Sequence, residues 1–241
     1  MEANPQIKIE NYIKQKKEMH SLLLEYIDNE ENDDCGFDNF TKFVDNTNTL
    51  QDVEELKILL RLIVKISKYH YRMPNFFSKL ERIILHYQKY IKQTLSNLEI
   101  YELFKNSKRI LLFLFEKGIL IKDMTIINKL LLKVDPNGVQ YCHFFFPEIE
   151  ELLKEKNPSQ IEGIKNEMLS IDQYIFTDFE QNRKIGENNS YICKLIRNDS
   201  VEDFISYATR TNLNLRSELG TSIFETNTFL IKNNPTIIEY A

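Results

Sequence analysis

Apolar residues recur along this chain at steps of three and four, the spacing that lines up one face of a helix. Tyr12, Met19, Leu23 and Tyr26 form a first stripe, with Ile13 and Ile27 beside it, and predict a helix over about 7–29. A short helix is expected over 37–44. Val53, Leu56, Leu60 and Ile63 mark a longer one to about 69, and Thr49 stands ahead of it as an N-cap able to accept from a free backbone N–H. Pro74 interrupts the pattern and biases Met73 away from helical dihedrals. Residues 70–75 therefore read as a turn, with Asn75 capping a helix whose stripe is Phe76, Leu80, Ile83, Tyr87 and Ile91.

Shorter pieces follow. Segments 98–105 and 109–117 predict two brief helices, the second closed by Gly118 as a left-handed C-cap. Asp123 opens another, to about 133, and Asp135-Pro136-Asn137-Gly138 is a turn. Phe144, Phe145 and Phe146 are expected in a core rather than on a surface, since large aromatics dominate burial. Helices over 148–156 and 160–180 complete this region. The polar stretch 183–189, which holds Gly186, is read as a boundary. Beyond it, Ile192, Leu195 and Ile196 make one short apolar face, and Val201, Phe204, Ile205 and Ala208 a second. Asn198-Asp199 turns the chain between them, and Ser200 with Asp203 resembles a capping box. Two short helices joined by a tight turn form an ankyrin-like unit of an α-solenoid. A second unit would begin near Ser222 and pass through Asn234-Pro235 into 236–240. The expected architecture is all-α: an irregular multi-helix region over 1–185, then an incomplete array of ankyrin-like helix pairs over 186–241.

Composition agrees with this picture. Hydrophobic residues make up 42% and charged residues 28%, enough for a sizeable core and against disorder, while 6 Gly and 6 Pro are too few for a turn-rich sandwich. The 31 basic and 36 acidic residues leave a formal charge of −5, which argues against a grip on phosphate backbone. The tightest basic cluster, Lys14, Lys16 and Lys17, lies within the first predicted helix and reads as its solvated face. Three scattered cysteines, Cys35, Cys142 and Cys193, do not make a disulfide framework. The first residues lack the pattern of a signal peptide, and no apolar run approaches the roughly 20 residues of a membrane span. An intracellular, cytoplasmic chain with no nucleic-acid or membrane partner is expected.

The search for chemistry returns little. His20, His70, His86 and His143 pair with no His or Cys at a zinc-ligand spacing. Asp28, Glu30 and Asn32 alternate as in a calcium loop, but Asp33 and Asn39 stand where such a loop needs Gly and Glu. Cys142 and His143 are neighbours, and adjacent side chains diverge on a helix or strand, so the pair is not a nucleophile with its base. No glycine-rich phosphate loop or nucleophile elbow occurs. No catalytic, cofactor-binding or metal-binding residue is assigned, and no cofactor is expected.

Three stretches carry a resemblance: Ile63-Val64-Lys65-Ile66-Ser67-Lys68-Tyr69-His70-Tyr71-Arg72-Met73-Pro74-Asn75-Phe76-Phe77, then Lys108-Arg109-Ile110-Leu111-Leu112-Phe113-Leu114-Phe115-Glu116, then Ser222-Ile223-Phe224-Glu225-Thr226-Asn227 continuing to Pro235-Thr236-Ile237-Ile238-Glu239-Tyr240-Ala241. In order and wording they resemble a large family of protist ankyrin-repeat proteins whose members carry a helical N-terminal region. The resemblance implies a non-enzymatic protein–protein interaction module with a protein partner. It makes His70, Arg72, Pro74 and Asn75 a helix-junction motif, whose His and Arg are read as bonding the carbonyls that end the preceding helix. Longer relatives run on into further repeats after Tyr240-Ala241. The array is thus expected to be cut short here, leaving Phe224, Phe229, Leu230, Ile237 and Ile238 incompletely covered and open to self-association. The alternatives are a truncated or vestigial repeat protein without independent activity and an enzyme whose site assembles from distant residues.

Overall fold

In a computed structural model, residues 5–29, 34–68, 75–136 and 138–241 are described. The fold is all-α. Among the described residues no β-sheet forms, and strand-like pairing is confined to isolated bridges, Val134 with Gln140 and Glu218 with Thr236. The chain divides into two compact units, Met1–Leu103 and Phe104–Ala241. His70, Arg72 and Pro74 of the junction motif, and Glu30 and Asn32 of the acidic stretch, lie outside the described residues.

The first unit comprises α1 (Pro5–Asp28), α2 (Asp34–Asp45), a 3-10 turn (Asn48–Leu50), α3 (Val53–Ile66), α4 (Phe76–Thr94) and α5 (Asn97–Phe104). Its core follows the sequence stripes. Met19, Leu23, Tyr26 and Ile27 of α1 are buried with Phe37, Phe40 and Val44 of α2, Leu56, Leu60 and Ile63 of α3, and Leu80, Ile83, Tyr87 and Ile91 of α4. The stripe fails at helix starts. Tyr12 is exposed and its hydroxyl donates to Glu55 Oε1 at 2.9 Å, and Val53 is exposed in the first turn of α3.

One expected cap is replaced and a second holds its position without its side-chain bond. The cap of α3 is Asp52, not Thr49: its Oδ1 accepts from the N–H groups of Glu54 (2.8 Å) and Glu55 (3.2 Å). Thr49 is one turn too early, its hydroxyl 2.6 Å from that of Thr47. Asn75 precedes α4 in a left-handed conformation (φ 58°) and caps with no side-chain bond. Instead its carbonyl accepts from the Ser78 hydroxyl at 2.7 Å. A capping box absent from the sequence reading starts α5. Ser96 N donates to Glu99 Oε2 at 2.9 Å and Glu99 N to Ser96 Oγ at 3.3 Å. The Ser96 backbone bond, with Lys57 beside it, holds the Glu99 carboxyl down at about 2.

The second unit comprises α6 (Lys108–Glu116), α7 (Met124–Leu132), α8 (Tyr141–Phe144), α9 (Phe146–Leu153), α10 (Pro158–Ile171), α11 (Phe179–Ile185), α12 (Tyr191–Arg197), α13 (Val201–Thr211), α14 (Thr228–Asn233) and α15 (Ile237–Tyr240). Six consecutive residues of α6, from Ile110 through Phe115, are buried, so this helix is enclosed on all sides rather than lying on a surface. Gly118 (φ 60°) ends it as expected, and Asp123 Oδ1 caps α7 by accepting from Ile126 N at 2.9 Å. Phe144, Phe145 and Phe146 are core residues.

The single helix expected over 160–180 is two. Asp172 takes an extended conformation and its Oδ1 accepts from Tyr174 N at 2.8 Å, the side-chain turn that lets Asp compete with a helix. Asp178, at φ 55°, then re-aims the chain into α11. The segment expected as a polar boundary holds Arg183 and Asn188, both buried. Ser200 precedes α13 without a side-chain bond, so the expected box with Asp203 does not form; a full capping box closes instead at Thr236 and Glu239, ahead of α15.

Candidate functional site

The sequence assigned no site residue. His20 and His86 are exposed. His143 is buried, with Nε2 3.3 Å from Glu167 Oε2 and Nδ1 without a hydrogen-bond partner. Its neighbour Cys142 turns away and donates from Sγ to Gln140 Oε1 at 3.2 Å. Burial pushes the Cys142 thiol up to about 11, so at neutral pH it is a thiol and a poor nucleophile. Cys35 is exposed and Cys193 buried, both unpaired. No group of three or more His, Cys, Asp or Glu able to hold a metal occurs among the described residues.

What the sequence reading missed is a cluster of buried charges in the second unit. Lys108, at the first turn of α6, is 2% exposed. Its Nζ donates to Asp135 Oδ2 at 3.1 Å and to the backbone carbonyl of Glu225 at 3.4 Å, and lies 5.2 Å from the Tyr141 ring centre. Burial lowers the ammonium from its ordinary value, against the pull of Asp135. Arg183, on α11, is 1% exposed. Its Nη2 donates to both oxygens of Glu148 (2.8 and 2.7 Å) and its Nη1 to Glu180 at 3.0 Å, while the guanidinium lies 5.4 Å from the Phe144 ring centre. Burial raises the Glu148 carboxyl although Arg183 opposes the shift.

Around Glu225 the polar groups form a clasp between two segments of chain. Its carboxylate accepts from Asn188 N at 3.1 Å and from Asn227 N at 2.8 Å. Thr226 N and Thr226 Oγ1 both donate to the Gly186 carbonyl, at 3.0 and 2.7 Å. Ser222 Oγ donates to Asn189 Oδ1 at 3.0 Å, and Asn188 Nδ2 to the Gly220 carbonyl at 2.9 Å. Asn227 caps α14 by accepting from Phe229 N and Leu230 N. Arg109, next to Lys108, donates to the carbonyls of Lys184 and Ile185, which end α11 just before Gly186. Every polar residue from Ser222 through Asn227 thus has a structural partner, and Ile223 and Phe224 fill the core beneath. Burial pushes Glu225 up to about 7 despite the backbone donors of Asn227, Asn188 and Thr226. The cavity that Asp135, Asn188, Glu225 and Tyr240 border has a volume of about 30 Å³, room for a single water.

A second feature is a surface. Helices α12 and α13 form a hairpin turned by three residues. Ser200 N donates to the Leu195 carbonyl at 3.0 Å, and Asp199 sits at φ 51°. Ile192 and Cys193 are buried beside Leu219, Ile237 and Tyr240, with Phe204 and Tyr207 packed partly against them. Helix α13 is amphipathic, yet none of its residues is buried. Val201 and Ile205 are 56% and 58% exposed. Beside the two helices lies an open groove of about 190 Å³, lined by Leu195, Ile196, Asp199, Ser200, Val201, Phe204 and Ala241. The expected uncovered face resolves residue by residue: Phe224 and Ile237 are buried, whereas Phe229 (64%) and Ile238 (62%) are exposed.

No helix among the described residues is long and apolar enough to cross a membrane. Compared with models of protein families, with curated proteins and with solved structures, the chain finds no match in any of the three.

Proposed function

We propose that this chain is a non-enzymatic protein-interaction module built on ankyrin-like helix pairs, and that its working surface is the α12–α13 edge. The observation that carries the reading is α13, whose Phe204 and Tyr207 pack partly against the core while Val201 and Ile205 of the same helix stay exposed. An isolated helix of 11 residues is marginal in water, and such helices are normally held by packing their apolar face. Here Val201 and Ile205 are left for something else to cover. A tight helix hairpin presenting an apolar edge is what one repeat of a helical solenoid offers to its neighbour or its partner. The resemblance to ankyrin-repeat proteins supports the same reading. The buried charges of the second unit fit it as scaffold, since their bonds run between segments of the unit itself.

The test is affinity capture from cells expressing the chain, with the natural sequence and Ile205→Asp in parallel, followed by titration of each purified candidate. A partner that binds the natural chain in purified form and loses binding to the variant supports the reading. Turnover of a small molecule by the purified chain, unaffected by Ile205→Asp, would overturn it in favour of an enzyme.

A further inference from the structure

Three properties of the α12–α13 groove narrow what occupies it. The first is size. Small-molecule sites run to roughly 300–1,000 Å³, and this groove holds about 190 Å³. It suits one large side chain projecting from a larger body, the kind of anchor that dominates interface energetics. The second is shape. Val201 and Ile205, and Phe204 and Ala208, stand four residues apart, and such rows are the ridges that pack into the grooves of another helix. No sheet edge is present among the described residues for a strand to extend. The third is charge. Asp199 lines the groove and Glu202 follows Val201 on α13, and neither carboxylate makes an ion pair among the described residues. The nearby cation Arg197 is engaged with Glu187 at 3.1 Å and with the Asn188 carbonyl.

We infer that the groove docks an amphipathic helix from a separate protein, one that sets a single large aliphatic or aromatic side chain against Leu195, Val201 and Phe204 and carries Lys or Arg beside it, opposite Asp199 and Glu202. This inference rests on the interaction reading and adds the class of partner. Apolar burial supplies affinity, and the carboxylates select against acidic helices and orient basic ones.

The experiment titrates the full chain with two fluorescent synthetic helices. They share one leucine face and differ only in their flanks, all Lys in one and all Glu in the other. The Lys peptide is expected to bind at least about threefold tighter at low salt, the order expected of exposed ion pairs, with the difference shrinking as salt is added. Asp199→Asn with Glu202→Gln should abolish the difference while leaving the Glu peptide no weaker. Ile205→Asp and Val201→Asp should each lose both peptides with unchanged helical circular dichroism, because both positions face solvent. Equal binding of the two peptides, sensitive to Ile205→Asp, would overturn the basic-helix inference and leave the interaction reading standing. Binding of neither peptide, or binding that ignores Ile205→Asp and Val201→Asp, would overturn the inference, and the partner-capture comparison then decides the interaction reading separately. A concentration-dependent dimer in light scattering, abolished by Ile205→Asp, would replace the separate partner with a second copy of the chain.

Discussion

Among the described residues two lysines are almost wholly enclosed, one in each unit, and their bonded partners differ. Lys79 of α4 donates from Nζ to the carbonyls of Tyr26 (2.9 Å), Ile27 (3.3 Å) and Asn29, where α1 ends. A helix C-terminus has unsatisfied carbonyls and a negative dipole end, so one ammonium completes the helix and is itself satisfied. Lys108 of α6 faces a full counter-charge, Asp135, which is as buried as the lysine. The three carbonyls that Lys79 bonds are neutral dipoles that do not titrate. Lys108 and Asp135 are both ionisable, and each depends on the other. That pair is therefore vulnerable both to substitution and to pH.

The largest expected effect tests this directly. Lys108→Met leaves Asp135 buried without its partner and should cost about 3–5 kcal/mol in chemical denaturation of the second unit. Adding Asp135→Asn should recover most of the loss, because a neutral pair no longer buries an uncompensated charge. Lys79→Met removes donors from carbonyls that carry no net charge and should cost less, about 1–3 kcal/mol. Equal costs for the two lysines, or no recovery in the double variant, would erase the distinction.

The vulnerable half of this comparison is also the half that the sequence conceals. The helices are legible where one face is buried: α3, α4 and α7 fall close to where apolar spacing places them, because the same periodicity sets both pattern and packing. Asp123 was legible as a cap because it directly precedes its helix. Thr49 misled because several polar residues compete near the start of α3, and Asn75 holds the cap position of α4 in a left-handed conformation without a side-chain capping bond. The split at Asp172 and Asp178 had no Gly or Pro to announce it. Lys108 with Asp135 and Glu148 with Arg183 lie 27 and 35 residues apart, so nothing local links them. One signal was available: Lys108 opens a helix with an unbroken apolar run from Ile110 through Phe115, where a charge without a partner would be costly.

Glu225 gives the next effect. Its folded carboxyl lies at about 7 against an ordinary 4.5, so between those values the folded chain binds more protons than the unfolded one. Stability then falls as pH rises, by up to about 3 kcal/mol in all. As far as this group is concerned, stability is full below about pH 4.5, falls between there and 7, and the loss is complete once pH passes well above 7. Glu187 adds repulsion, while Lys108, Tyr240 and Cys193 share the field of Glu225. Glu225→Gln keeps an acceptor for Asn188 N and Asn227 N but cannot ionise. Thermal midpoints measured from pH 5 to 8 should decline for the natural chain relative to the variant, which should be the more stable at pH 8. Parallel curves would mean that the clasp carries no titrating charge.

A smaller effect is expected at Gly186, the hinge of the same clasp. Its φ of 72° disfavours any residue with a Cβ, and a Cβ there would lie 2.9 Å from Thr226 Oγ1, the atom that bonds the Gly186 carbonyl. Gly186→Ala should cost about 1–3 kcal/mol through strain and displacement of that hydroxyl. Thr226→Val lacks the hydroxyl, so combining it with Gly186→Ala should cost less than the sum of the two single changes. Strict additivity in that double-mutant cycle would separate the turn from the clasp.

The smallest expected effect lies outside the charge cluster. Ile205 projects from α13 into solvent, and Asp in its place removes little packing and buries no charge. It should shift stability by no more than about 0.5 kcal/mol, the usual range for surface positions. The contrast with Lys108→Met then divides the second unit into a charged interior that holds it together and an apolar edge that does not. A loss of partner binding without a loss of stability is what the proposed docking edge requires. If Ile205→Asp instead lowered the unfolding midpoint as far as Gly186→Ala does, the edge would belong to the fold, and the groove beside it would lose its claim to be a docking surface.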